Sequence, residues 1–142
     1  EAFRQAQNQY PGRFAAHMMY SPNLSTAIYG GADLFLMPSI SEPCGLSQMI
    51  AMRYGTIPVV RETGGLRDSV VPYNKFTGEG TGFSFANINV QEMTGVLSEA
   101  VNLYHNEPKA WKALQKNAMT ADFSWEKSAK AYEEIYGWVT GK

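Results

Sequence analysis

Apolar runs and helix-favouring stretches alternate along the first two thirds of the chain. Four apolar runs predict short strands, at residues 13–20, 33–39, 57–60 and 82–85. A stretch that favours helix precedes each of them, at residues 1–10, 22–32, 45–54 and 65–70. Short apolar strands that alternate with helices predict an α/β fold, in which helices cover both faces of a parallel sheet.

The final third of the chain reads as three helices. Asn89 and Glu92 form a capping-box pattern, and a stripe of apolar positions spaced three and four apart follows from Val90 to Tyr104. Pro108 suits the first turn of the next helix, and Ser124 suits the cap of the last. The inward positions of these two helices are Trp111, Leu114 and Ala118, then Trp125, Ala129, Tyr132, Tyr136 and Val139.

Composition narrows the class of protein. The 142 residues are 44% hydrophobic with a net charge of −1, which fits one globular domain and argues against binding to nucleic acid or to a membrane surface. A single cysteine cannot form an internal disulfide, which favours the reducing cytoplasm. The chain lacks an initiator methionine and opens like the end of a helix already begun, so we expect a fragment.

The segment "SEPCGLSQMIAMRYGT" follows the second predicted strand, where ligands of parallel sheets bind. The helix predicted from Gly45 is so apolar that we expect it to be central and buried. Its first amides lack partners within the helix and suit a phosphate, while Gly45 allows close approach and Ser47 adds a hydroxyl. An ordinary tight turn into a core helix explains the same residues.

A second glycine-marked helix start follows the next strand. Thr63, Gly64 and Gly65 open it, and two such openings side by side would grip a diphosphate. Neither GxGxxG nor the P-loop pattern occurs in the chain. Glu42 would be repelled by phosphate, so we expect it to face sugar hydroxyls; the alternative is a carboxylate that only stabilises the helix start.

Other candidates carry weaker signals. Tyr20, at the predicted end of the first strand, suits stacking on a base or packing in the core. Cys44 has no histidine near it in sequence, so lining a tight pocket is preferred over a nucleophilic role. Arg53, Arg61 and Arg67 are candidates for contacts to phosphate or for ordinary ion pairs.

Residues 30–70, "GGADLFLMPSISEPCGLSQMIAMRYGTIPVVRETGGLRDSV", closely resemble bacterial glycogen synthases and plant starch synthases. The resemblance extends over essentially the whole chain. It implies the GT-B architecture, in which two Rossmann-like domains face each other across a cleft. Residues 1–142 would be the C-terminal, nucleotide-sugar-binding domain, incomplete at its N-terminus, and the N-terminal acceptor domain would be absent.

The resemblance also implies an activity. It implies transfer of glucose from ADP-glucose to the non-reducing end of an α-1,4-glucan, with retention of configuration and without a metal or cofactor. ADP-glucose and UDP-glucose both remain open as donors, and the fragment alone is expected to be inactive. The implied site residues are Glu42 facing the donor sugar, Cys44, Gly45, Leu46 and Ser47 around glucose and phosphate, Thr63, Gly64 and Gly65 in the second loop, and Tyr20 against adenine.

One departure and two rival functions complete the sequence-based picture. Ile50 occupies the position where many retaining GT-B enzymes carry a second glutamate. A glycosidase that uses Glu42 and Glu62 as acid and base is one rival. A non-catalytic module that binds a nucleotide sugar or a glucan is the other.

Overall fold

The computed structural model describes residues 1–141, and this part of the chain folds into seven helices and three strands. The elements in chain order are α1 (Ala2–Gln9), α2 (Pro22–Gly31), β1 (Leu34–Met37), α3 (Ser47–Tyr54), β2 (Ile57–Arg61), α4 (Gly64–Ser69), β3 (Phe83–Phe85), α5 (Val90–Asn106), α6 (Pro108–Thr120) and α7 (Trp125–Thr140).

The three strands form a parallel sheet in the order β1-β2-β3. Leu34 pairs with Ile57, and Val59 pairs with Phe83. The residues of β2 from 57 to 60 are all buried, and because consecutive side chains point to opposite faces, both faces of this central strand are covered. The predicted α/β fold with a parallel sheet is confirmed.

The strand predicted at residues 13–20 is wrong, since this segment is irregular and mostly exposed. A strand exists only where a neighbour accepts and donates its backbone hydrogen bonds, and apolar composition cannot supply that neighbour. Here the amide of Ala16 instead donates to the side-chain oxygen of Gln7, at 2.8 Å.

The hydrophobic core lies between the sheet and helices α3, α5 and α6. The helix α3 contacts β2 and α6, and α5 contacts β3 and α6. The predicted inward positions of α6 are confirmed, because Trp111, Leu114 and Ala118 are all buried. The core therefore anchors α3 from two sides and fixes its N-terminal end at the carboxyl edge of the sheet.

Two predicted apolar faces are less buried than their patterns indicate. The stripe on α5 is buried at Ala100, but Val90, Val101 and Tyr104 are exposed. The face of α7 is exposed along its length, and Trp125 keeps 89% of its surface accessible. An apolar stripe marks where a partner can pack, but it does not show that the described residues contain that partner.

The predicted helix caps are confirmed. Glu92 N donates to Asn89 Oδ1 at 2.7 Å, and Lys127 N donates to Ser124 Oγ at 3.3 Å. The reciprocal bond of a capping box is not formed, because the amide of Asn89 donates to the carbonyl of Asn87, and Glu92 instead accepts from Asn89 Nδ2 at 3.3 Å and from Asn87 N at 2.9 Å. These bonds set where α5 and α7 begin.

The hydrogen bonds that Glu92 accepts predict an acid-dependent stability. Hydrogen bonds, first of all from the Asn87 side chain, lower the pKa of Glu92 below its ordinary value of 4.5. The stabilisation is therefore present above that value and is lost as the pH falls through the folded-state pKa. We expect Glu92→Gln to be less stable than the unsubstituted chain at about pH 7 and equally stable at about pH 3.

Urea unfolding at both pH values measures this difference. Glu99→Gln, a change at an exposed carboxyl on the same helix, is the control and should show no such dependence. A stability gap for Glu92→Gln that persists in acid would contradict the prediction.

Candidate functional site

The opening of α3 offers backbone amides to a ligand. The helix begins at Ser47, two residues later than predicted, and Gly45 precedes it with a φ of +71° that favours glycine. Leu46 is the N-cap residue and makes no side-chain cap. Among residues 1–141, no protein group accepts a hydrogen bond from the amides of Gly45, Leu46 or Ser47. This opening therefore has the donors that an anion requires.

The opening of α4 differs from the prediction. The helix begins at Gly64, and the amide of Gly65 already donates to the carbonyl oxygen of Pro43 at 3.1 Å. The amide of Leu66 donates to the carbonyl of Thr63, also at 3.1 Å. Only the Gly64 amide of this opening lacks an acceptor in the part of the chain that the structure describes. The protein itself therefore occupies two amides of the second opening, which leaves fewer donors for a diphosphate there than at α3.

The two glycines of α4 allow the two openings to touch. A Cβ atom on Gly64 would overlap the carbonyl oxygen of Glu42, and one on Gly65 would overlap that of Cys44. Gly64 also has a positive φ, of +43°. The structure thus brings Glu42, Cys44, Gly64 and Gly65 together at one place, and close contact between protein backbones explains the glycines without a ligand.

Glu42 is half-buried at this junction. Its side chain does not cap α3, whose N-cap residue is Leu46, so the alternative of a direct helix cap is not supported. Of the described residues, only Lys130 and Glu126 form a salt bridge, and Glu42 is therefore not held by a cation of this segment. Its carboxylate remains available to a ligand.

Tyr20 lies in a different element from the one predicted, and Cys44 lies at the surface. Tyr20 lies in the loop before α2 rather than at a strand end, and it is 94% exposed, which excludes packing in the core of the described residues. Its stacking role stays a prediction. Cys44 is exposed, and its place in a pocket around the donor stays a prediction. Ser47 and Thr63 are half-buried, at the starts of α3 and α4.

Two of the candidate arginines bind the protein backbone. Arg61 Nη1 donates to the carbonyl of Ile40 at 3.0 Å and that of Ser39 at 3.4 Å. Arg53 Nη1 donates to the carbonyl of Met119 at 3.1 Å. Arg67 is exposed in the last turn of α4. Arg61 thus supports the loop that leads to Glu42, a structural role rather than the phosphate contact considered from the sequence.

The expectation that α3 is buried on all sides was wrong. One face is buried at Gln48, Ala51 and Met52, whereas Leu46 and Ile50 are exposed at 67% and 40%. The exposed side borders a groove of about 550 Å³ between α3 and the connection from α6 to α7. An apolar helix face stays exposed wherever the described residues contain nothing that packs against it.

Sequence reasoning missed Gln48, a fully buried polar residue in α3. Its side-chain amide donates to the carbonyl oxygens of Gly45 and Cys44, at 2.8 and 3.3 Å, and to Ser69 Oγ at 2.9 Å. The signal that could have identified it is a glutamine on an otherwise apolar helix face. Buried polar groups are usually hydrogen-bonded, so such a residue indicates a specific partner.

Comparison with known families assigns this geometry to an enzyme class. Residues 16–120 match the family model described as glycosyl transferases group 1. The chain belongs to this family. The match includes both helix openings, so the site described above is part of the family's domain.

Relatives of this group 1 glycosyl transferase chain include the glycogen synthase of Lachnospira eligens, 51% identical over 134 residues. The alignment covers 94% of this chain and 28% of that protein. The chain therefore spans less than a third of the length of this relative.

Solved structures share the fold. The catalytic domain of starch synthase IV from Arabidopsis thaliana, bound to ADP and acarbose, matches with a TM-score of 0.82 and 40% identity, over 99% of this chain and 30% of that one. A sucrose-phosphate synthase from Thermosynechococcus elongatus matches in fold, with a TM-score of 0.67 and 22% identity over 97% of this chain and 33% of the other. The fold of this glycosyl transferase segment is therefore that of part of a GT-B glycosyltransferase. No helix within residues 1–141 is long and apolar enough to cross a membrane.

Proposed function

We propose that this chain supplies the donor site of a glycogen or starch synthase. The reaction is transfer of glucose from ADP-glucose to the non-reducing end of an α-1,4-glucan, with retention of configuration. Residues 1–142 form the nucleotide-sugar-binding domain, and an N-terminal domain binds the glucan acceptor. The resemblance to glycogen synthases and the ADP bound to the similar starch synthase IV both support ADP-glucose as donor.

The observation that carries this proposal is the junction between Glu42 and the opening of α3. The unoccupied amides of Gly45, Leu46 and Ser47 favour an anion, and the dipole of α3 adds to that preference. A carboxylate next to an anion site repels the anion, so it needs a neutral partner of its own. Sugar hydroxyls are such a partner, because they donate hydrogen bonds to the carboxylate. A sugar phosphate satisfies both groups at once.

The chemistry follows from these charges. When the nucleotide leaves, negative charge develops on its phosphate and positive charge on the sugar ring. Fixed amides at α3, with the amide of Gly64, stabilise the leaving phosphate without reorganising. Glu42 orients the sugar and stabilises the positive charge. Cys44, Thr63 and Gly65 shape the loops around glucose and diphosphate.

Further parts of the proposal concern the nucleotide base, the location and the partner domain. Tyr20, fully accessible in its loop, stacks on adenine. The exposed Cys44 thiol at the site favours a reducing compartment such as the cytoplasm. The segment alone transfers no glucose, because the acceptor domain completes the cleft.

A chimera tests this function. This chain would replace the matching segment of the Lachnospira eligens glycogen synthase, to which it is 51% identical. We expect the chimera to incorporate glucose from ADP-glucose into glycogen and to bind ADP, while the isolated chain shows no transfer. Incorporation is measured with ADP-glucose and UDP-glucose in parallel, and a higher kcat/KM with UDP-glucose would reassign the donor.

The same assay separates the rival functions. A chimera that unfolds at the same temperature as the complete synthase, binds ADP and transfers no glucose indicates a non-catalytic binding module. Release of free glucose from glycogen, with loss of that activity in Glu62→Gln, indicates a glycosidase. A folded chimera that neither binds ADP nor transfers glucose contradicts the proposal.

A further inference from the structure

Gln48 joins the two helix openings through a continuous set of hydrogen bonds. Its Nε2 donates to the carbonyl oxygens of Cys44 and Gly45 and to Ser69 Oγ, at 3.3, 2.8 and 2.9 Å. Ser69 Oγ in turn donates to the carbonyl of Gly65 at 2.5 Å. One buried side chain thus connects the loop before α3 with both ends of α4.

A return contact closes this set of bonds. The amide of Gly65 donates to the carbonyl of Pro43 at 3.1 Å, so three successive carbonyls are held, that of Pro43 by α4 and those of Cys44 and Gly45 by Gln48 of α3. Three oxygens facing Nε2 also determine the side-chain orientation, because a flipped amide would direct Oε1 at two carbonyls. Gln48 is therefore held in one orientation.

The carbonyls that Gln48 binds determine where the free amides point. No peptide bond among residues 1–141 is cis, and in a trans peptide the C=O and N–H groups point in opposite directions. The carbonyl of Cys44 shares a peptide with the amide of Gly45, and the carbonyl of Gly45 shares one with the amide of Leu46. By drawing both carbonyls inward, Gln48 directs both amides outward, away from the core.

A purely structural role does not explain this residue well. Gln48 Oε1 is buried and has no hydrogen-bond partner among the described residues. A buried acceptor without a partner is costly, and an apolar side chain of similar shape would remove that cost. An apolar residue could not donate to the carbonyls of Cys44 and Gly45, so the donor group of Gln48 does more than fill the core.

We propose that Gln48 is the positioning residue that aims the Gly45 and Leu46 amides at the leaving phosphate. It touches no substrate and acts through the two peptides. The proposal rests on the proposed function for the identity of the ligand, a nucleoside diphosphate. The orientation of the peptides does not depend on that identity.

Gln48→Met in the chimera tests the proposal, since methionine has a similar length and no donor. We expect ADP affinity, measured by calorimetry, to fall about tenfold, and kcat to fall with it, because two amides lose their alignment with a charged group. Ser69→Ala, a milder change that removes one acceptor of the Gln48 amide, should weaken ADP binding in the same direction by about two- to fivefold.

Thr56→Val is the matched control. Thr56 is equally buried, and its hydroxyl donates to the carbonyls of Tyr29 and Ala32, at 2.6 and 2.8 Å, away from the donor loop. We expect this variant to lower the unfolding temperature as Gln48→Met does but to keep ADP affinity within about twofold. Equal effects of Thr56→Val and Gln48→Met on ADP affinity would overturn the proposal.

A crystal structure of the Gln48→Met or the Ser69→Ala chimera without ligand separates this proposal from the proposed function. Rotation of the Cys44 and Gly45 carbonyls away from the core supports the positioning role even if the unsubstituted chimera fails to bind ADP. Cys44 and Gly45 carbonyls that keep their orientation, together with an unchanged ADP affinity, overturn it. In that case glucosyl transfer by the unsubstituted chimera would leave the proposed function intact.

Discussion

Replacing Glu42 by glutamine in the chimera is expected to lower kcat on the order of 10- to 100-fold while leaving ADP affinity within about threefold. The carboxylate lies at the junction of the two openings, and its proposed role is to bind the sugar and stabilise positive charge on the ring. Glutamine keeps the shape and loses the charge, and a hydrogen bond to a charged group contributes about 1.5–3 kcal/mol. ADP carries no glucose, so its binding does not depend on this interaction.

Glu62→Gln is the control for this change. Glu62 lies after β2 and accepts a hydrogen bond from Ser84 Oγ at 2.7 Å, so its carboxylate already has a protein partner. We expect its kcat to stay within about threefold of the unsubstituted chimera. Steady-state kinetics and calorimetry with ADP provide both readouts. A Glu42→Gln enzyme with unchanged kcat would remove this residue from the mechanism.

Gly65→Ala is expected to lower the free energy of unfolding by about 1–3 kcal/mol and to weaken ADP binding. The new methyl group would overlap the backbone of Cys44, so the loop before α3 must move away from α4. The φ angle of Gly65 is not positive, so this variant isolates the steric effect. Gly64→Val adds backbone strain at a φ of +43° and should cost more.

Gly95→Ala is the control, and we expect it to change the free energy of unfolding in the opposite direction. Gly95 lies inside α5, and a Cβ atom there has no neighbour within 4 Å. Alanine should therefore raise the free energy of unfolding by about 0.4–1 kcal/mol and leave ADP binding unchanged. Urea unfolding and calorimetry on both variants test the contrast. A Gly65→Ala protein as stable as the unsubstituted one would show that the two openings are not packed as closely as described.

The sequence predicted the local features of the site well where the signal is a backbone property. Gly45 marked the segment that leads into α3, and Asn89 with Glu92 marked the start of α5, because these preferences depend only on neighbours in the chain. The strand at 13–20 failed because pairing depends on a distant segment. The close contact of Gly64 and Gly65 with the carbonyls of Glu42 and Cys44 was likewise not predicted, since only the fold brings these groups together.

The sequence by itself determined the α/β class, the parallel sheet, the helix caps and the family. Periodicity, caps and motifs depend on residues that are close together in the chain, so they can be recognised from the sequence alone. Only the tertiary structure decided which amides stay free, that Pro43 accepts from the amide of Gly65, and that Gln48 binds the carbonyls of Cys44 and Gly45. It also decided that the face of α7 is exposed. These properties depend on contacts between residues far apart in the chain. The sequence shows which groups need a hydrogen-bonding or packing partner, but it does not show which residue becomes that partner.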